Sequence, residues 1–109
     1  MVPINRERVL ALCEGDLEDA REFLDVVVES TALTLARLEE AFARSDENAV
    51  QAVLHELLGS SGNAGAEELA VLCAQLDRAV KERPNVDPGS RLRELRAAFD
   101  RLKAAAASF

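Results

Sequence analysis

The apolar residues of this chain recur with the spacing of α-helices. Between Leu24 and Phe42 they alternate steps of four and three, which places them on one side of a helix that packs in a bundle. Similar spacing returns in two later segments. The predicted core-facing positions are Leu24, Val28, Thr31, Leu35, Leu38 and Phe42; then Leu69, Leu72, Cys73, Leu76 and Val80; then Leu92, Leu95, Phe99 and Leu102.

Capping and helix-breaking residues divide the chain into five helices. A short first helix carries Val9, Leu12 and Cys13, and a long second helix extends to Arg44. At the end of the third helix, residues 62–65 include two glycines and an asparagine, which suit the left-handed conformations found at helix ends. The predicted N-caps are Asn5, Asp16, Asp46 and Asp87, and the predicted breaks are Gly15, Gly62 to Gly65, and Pro84.

These elements predict an all-α protein, with residues 1–109 forming a single domain. Four longer helices and short turns favour an antiparallel four-helix bundle with a short additional N-terminal helix. An irregular five-helix globule is the alternative. The composition agrees, because Ala, Leu, Glu and Arg dominate and neither Tyr nor Trp occurs, whereas strands favour β-branched and aromatic residues.

The net charge of −7 narrows the choice of partners. Nucleic acid and acidic membranes bind surfaces on which Lys and Arg are clustered. The sequence has no such cluster, so we expect neither as a partner. No apolar run is long enough to span a membrane. Proteins are the expected partners, and the expected location is the cytoplasm. Cys13 and Cys73 are interpreted as small buried hydrophobes, with a disulfide as the alternative.

The third helix carries the only histidine, His55. At 100° per residue, its apolar residues lie about 160–260° away from the histidine, so the imidazole is expected to face solvent. The residues on the histidine side are small or polar: Asn48, Gln51, Ala52, Gly59 and Gly62. Glycine inside a helix costs about 1 kcal/mol relative to alanine, so Gly59 and Gly62 indicate a surface cleared for close approach. We expect a monomer, since this surface is small and polar.

Other chemistries fit the chain less well. A metal site needs three or four ligands on one face, and a nucleophilic triad needs a serine beside the histidine, whereas Ser60 and Ser61 are predicted on the core side. The sequence therefore predicts no independent enzyme and no cofactor. A neutral imidazole is nonetheless a nitrogen nucleophile near pH 7 and can carry a phosphoryl group. An exposed histidine with no function is the alternative interpretation.

Residues 55–66 (HELLGSSGNAGA), followed by Leu69, Leu72 and Leu76-Asp77, resemble the histidine-containing phosphotransfer (HPt) domain of bacterial phosphorelays. The family pattern is roughly His-x-Leu-Lys-Gly-Ser-Ser-x-x-x-Gly-Ala before a Leu-rich helix. The Gly-Asp-x-Glu segment at Gly15 to Glu18 and the restart at Asp46 also resemble this family. The resemblance extends over nearly the whole chain.

The resemblance implies a four-helix bundle with a phospho-accepting histidine, here His55. It implies that His55 takes a phosphoryl group from the aspartate of one receiver domain, in a response regulator or hybrid histidine kinase, and passes it to another. The partner receiver would supply magnesium and the catalytic residues, and the domain itself would have no kinase activity. Gly59 would leave room for the receiver, and Asp77 or Gln51 would orient the imidazole by hydrogen bonding.

One departure from the family concerns Leu58, which stands where a lysine is usual. A lysine there would face a phosphoryl group carrying roughly two negative charges, and no other residue on this face of the helix replaces that positive charge. Two functions therefore stay open besides the incidental histidine. The first is a phosphocarrier, and the second is an HPt-fold interaction module that docks a receiver or kinase without efficient phosphotransfer.

Overall fold

The computed structural model describes residues 1–82 and 87–109. This part of the chain forms five helices. They are α1 (Arg6–Leu12), α2 (Leu17–Ala43), α3 (Glu47–Asn63), α4 (Glu67–Glu82) and α5 (Pro88–Ala107). The predicted stop at Pro84 lies outside the described residues. The remaining predicted helix boundaries are confirmed to within a few residues.

Each predicted N-cap is confirmed by a side-chain hydrogen bond. The carboxylates of Asp16 and Asp46 accept from the backbone N–H three residues on, at Asp19 and Ala49. Asn5 caps α1 and Asp87 caps α5 in similar ways. These bonds satisfy N–H groups that have no partner inside the helix, so the helices begin at residues that are recognisable in the sequence.

The four long helices form an antiparallel bundle measuring 44 × 20 × 20 Å along its principal axes. In the described part of the chain, α2 packs on α3, α3 on α4, α4 on α5 and α5 on α2, while α1 contacts α2. The N-terminal segment is also tied to the α3–α4 turn, since Asn5 N–H donates to the Gly65 carbonyl at 2.8 Å. The predicted bundle with an additional N-terminal helix is confirmed.

The core is built from the predicted positions, and four of the predictions need correction. Leu12 is 50 % exposed, because it is the last residue of the short helix α1, which among the described helices contacts only α2. Gly62 stays helical, and only Gly65 of that turn takes a positive φ, of 78°. Ser60 is exposed rather than on the core side, whereas Ser61 is buried. Both cysteines are free, but only Cys73 is buried, and this burial raises the pKa of its thiol to about 12.

No helix in the described ranges is long and apolar enough to cross a membrane.

Ser61 generates the first prediction. Its Oγ is buried and has no hydrogen-bond partner among the described residues, and an unpaired buried hydroxyl is costly. We expect Ser61→Ala to raise the free energy of unfolding by about 1 kcal/mol, because it removes that hydroxyl and improves helix propensity. Urea denaturation followed by circular dichroism measures the change. Ser60→Ala is the control, since Ser60 Oγ donates to the Leu57 carbonyl at 3.2 Å. A destabilised Ser61→Ala protein would contradict the prediction.

Candidate functional site around His55

His55 lies at the middle of α3 with its side chain exposed. The opposite side of the helix is buried, and Leu54 and Leu57 have no accessible surface. The surrounding residues of the histidine side are all exposed: Asn48, Gln51, Ala52, Gly59 and Gly62. The predicted outward orientation of the imidazole is therefore confirmed.

The space beside the imidazole is open at both glycines. A Cβ atom added to Gly59 or to Gly62 would have no heavy atom within 4 Å beyond its local helix backbone. Neither residue takes a positive φ, so the backbone conformation does not require glycine there. The two glycines keep the helix surface low at one and two turns after His55, so that another protein can approach closely there.

Leu58 and Gln51 lie on the same side of α3, next to His55. Leu58 is half-buried and packs against the core cluster, so its side chain is part of the packing between helices. Gln51 is exposed and offers a neutral amide. Neither side chain supplies a positive charge beside His55.

Helix geometry places Asp77 of α4 at about the level of His55 of α3. Gly62 of α3 and Ala70 of α4 line the same surface groove, of about 550 Å³, near the turn that joins the two helices, and residues of the N-terminal segment, among them Arg8, line it as well. His55 is seven residues before Gly62, and Asp77 is seven residues after Ala70. Seven residues advance a helix by about 10 Å and rotate it by only about 20°. Because the helices are antiparallel, both steps run in the same direction, and they bring His55 and Asp77 to the same level.

The carboxylate of Asp77 is already bonded to a lysine. Lys81 Nζ donates to Asp77 Oδ2 at 2.9 Å, and the Asp77 side chain is only 19 % exposed. Within the described ranges, no hydrogen bond joins His55 to Asp77 or to Gln51. The ring-orienting role of these two residues therefore stays a prediction.

A second ion pair lies on the other flank of His55. Glu56, the next residue of α3, accepts hydrogen bonds from Arg37 of α2 at 3.0 and 3.1 Å. Sequence reasoning missed both cations. The Asp77–Lys81 pair has the i, i+4 spacing of a helix-stabilising pair and was readable from the sequence. The Arg37–Glu56 pair joins two helices, so only the tertiary structure reveals it.

Within residues 1–82 and 87–109, no group of three or more His, Cys, Asp or Glu side chains is placed to hold a metal ion.

Two solved structures share this fold. The histidine-containing phosphotransfer protein B of Pseudomonas aeruginosa superposes with a TM-score of 0.86 at 20 % sequence identity, covering 97 % of this chain and 92 % of that one. The HPT domain of a sensor hybrid histidine kinase from Shewanella superposes with a TM-score of 0.76 at 21 % identity, with the same coverage. Identities this low establish the fold alone. No curated protein sequence matches the chain.

The family assignment comes from the sequence. The profile of the Hpt domain matches residues 22–105, which include α3 and most of the bundle. This match agrees with the exposed histidine, with the cleared surface beside it and with the antiparallel helices that carry it. The chain belongs to the Hpt domain family.

Proposed function

We propose that this protein is a phosphocarrier of a two-component phosphorelay, in which His55 accepts a phosphoryl group from the aspartate of one receiver domain and passes it to another. The observation that carries the proposal is the exposure of His55 on a surface without bulky neighbours, in a chain of the Hpt family. An imidazole that is accessible on a rigid helix meets the geometric need of in-line transfer between two proteins.

The transfer step requires the neutral form of the imidazole. The lone pair of one ring nitrogen forms the N–P bond, while the P–O bond of the aspartyl phosphate breaks and its electron pair returns to the aspartate carboxylate. The proton on the other ring nitrogen stays in place, and the phosphorylated ring carries the positive charge. In the second transfer, the carboxylate of another receiver attacks the phosphorus atom, and the N–P bond breaks.

The chain's own contribution is to present and position the imidazole. The receiver is expected to supply the magnesium ion and the groups that stabilise the moving phosphoryl charge, and we propose no kinase activity for the chain itself. Gly59 provides room for the receiver, and Gln51 and Asp77 are the proposed supports of the ring. We expect the protein to act as a cytoplasmic monomer.

One observation favours a second function: Leu58 is half-buried. A half-buried leucine that packs against the core offers apolar surface and no charge at the position where the family usually has lysine. This exchange suits an interaction module that docks a receiver or kinase and carries little phosphate.

Incubation with a phosphorylated receiver domain separates the two functions. The readout is acid-labile, alkali-stable phosphate on the wild-type protein and on His55→Gln. We expect label on the wild type that His55→Gln loses, with unchanged circular dichroism for the variant. Receiver binding without label would instead support the docking module. Neither binding nor label would leave His55 an incidental surface residue.

Gly59 provides a steric test. Gly59→Ala and Gly59→Gln both place a side chain in open space, so both proteins should fold, and the alanine variant should gain about 1 kcal/mol from its higher helix propensity. We expect Gly59→Gln to slow transfer from a phosphorylated receiver at least tenfold, because its longer side chain occupies the cleared surface. Rapid-quench transfer assays on the two variants measure the difference. Equal rates would show that the receiver does not approach over Gly59.

Leu58→Lys tests the effect of charge. A charged hydrogen bond contributes about 1.5–3 kcal/mol when well formed and less when exposed, so we expect about a tenfold gain in the phosphorylated fraction of His55. Leu58→Met is the control, because it keeps an apolar side chain of similar length without the charge. Phosphate-affinity electrophoresis after incubation with a competent receiver measures the fraction. No gain over Leu58→Met would count against a deficit of positive charge at this site.

A further inference from the structure

The two flanks of His55 carry ion pairs rather than single charges. On the α2 flank, Arg37 binds Glu56, and on the α4 flank, Lys81 binds Asp77. Both of these carboxylates therefore have a cation beside them. A phosphoryl group on His55 brings roughly two further negative charges to this rim, in a chain whose net charge is already −7. How readily the cations of these pairs can turn to the phosphoryl group determines how well its negative charge is stabilised.

The two pairs differ in how readily their cations can move. Arg37 contacts both carboxylate oxygens of Glu56 and bridges two helices. Lys81 makes one hydrogen bond within its own helix, and its side chain is 60 % exposed. Exposed i, i+4 pairs contribute little to stability, and the lysine stem rotates freely. Exchange of the bonding partner therefore costs less for Lys81 than for Arg37.

The position of Lys81 suits such an exchange. Gly62 and Ala70 line one groove, and His55 and Asp77 each lie seven residues further from the α3–α4 turn, which puts the two at about the same level. Lys81 is one turn further along α4, and its bond to Asp77 shows that its ammonium group reaches back to that level. The half-buried Asp77 carboxylate holds the lysine there before any phosphate arrives.

Building on the phosphocarrier role, we propose that Lys81 is the cation that stabilises the phosphoryl group on His55. On phosphorylation, its ammonium group leaves Asp77 Oδ2 and donates to the phosphoryl oxygens, because a dianion attracts it more strongly than a single carboxylate does. The positive charge that Leu58 does not provide on α3 is thus supplied from α4. Lys81 is a phosphate-binding residue of this site, and Asp77 is its positioning residue.

The test loads His55 without a partner protein. Phosphoramidate is the donor: its P–N bond breaks, nitrogen leaves as ammonia, and the N–P bond forms at the imidazole. At fixed concentrations of phosphoramidate and ammonium, the ratio of phosphorylated to free protein reports the stability of the phosphorylated state. We expect Lys81→Met to lower this ratio about three- to tenfold, in the range of an exposed charged hydrogen bond, and Lys81→Arg to restore most of it.

The chain provides a matched control, because Lys81 and Lys103 are its only lysines. Lys103 lies on α5, beside Phe99, so Lys103→Met should leave the ratio unchanged. The ¹⁵N spectrum of the lysine ammonium groups gives a second readout with only two signals. Phosphorylation should shift the Lys81 signal and leave the Lys103 signal in place, a response that a merely structural lysine would not show.

The outcomes separate the two proposals. If the wild type takes no phosphate on His55, so that His55→Gln behaves like it, the phosphocarrier role fails and the Lys81 proposal fails with it. If the wild type is phosphorylated, but Lys81→Met keeps the same ratio and the Lys81 signal does not move, the phosphocarrier role stands and the Lys81 proposal is overturned. Equal losses in Lys81→Met and Lys103→Met would also overturn it, since they would reflect net charge alone.

Discussion

The burial of one face of α3 is the constraint on which the site depends. Leu54 and Leu57 are fully buried, and burying a leucine stabilises the fold by about 1.5–3 kcal/mol, far more than an exposed imidazole gains from any one orientation. The core therefore sets the rotation of α3 about its axis. Because His55 lies on the opposite side of the helix, the same packing turns the imidazole outward and holds it on a rigid element, where a partner can reach it without unfolding the domain.

Two further features make this surface suitable for phosphate. Gly59 and Gly62 keep it low, although each weakens the helix relative to alanine, and the flanking carboxylates of Glu56 and Asp77 are each bonded to a cation. Steric access and charge balance thus come from different elements. The glycines belong to α3 itself, whereas the cations come from its neighbours in the bundle, so the site is complete only when the helices are packed together.

Leu58 shows how packing and chemistry compete at a single position. As leucine it packs against the core, but it lacks the positive charge that a lysine would place beside the imidazole. A nearby cation on α4 offsets that loss without disturbing the core. Leu58 can serve either the core or the ligand, because its angle on α3 lies between the buried face and the exposed face of the helix.

The sequence alone determined the five helices, their N-caps, most of the core and the outward face of His55, because capping and a period of 3.6 residues are local properties of the chain. It did not determine the exposure of Leu12 or the helical state of Gly62, since both depend on where the bundle ends. Nor did it show that Arg37 reaches Glu56 of the next helix, and a place for Asp77 near His55 followed only from the family resemblance. Those relations join residues far apart in the chain, and only the packing of one helix against another brings such side chains together.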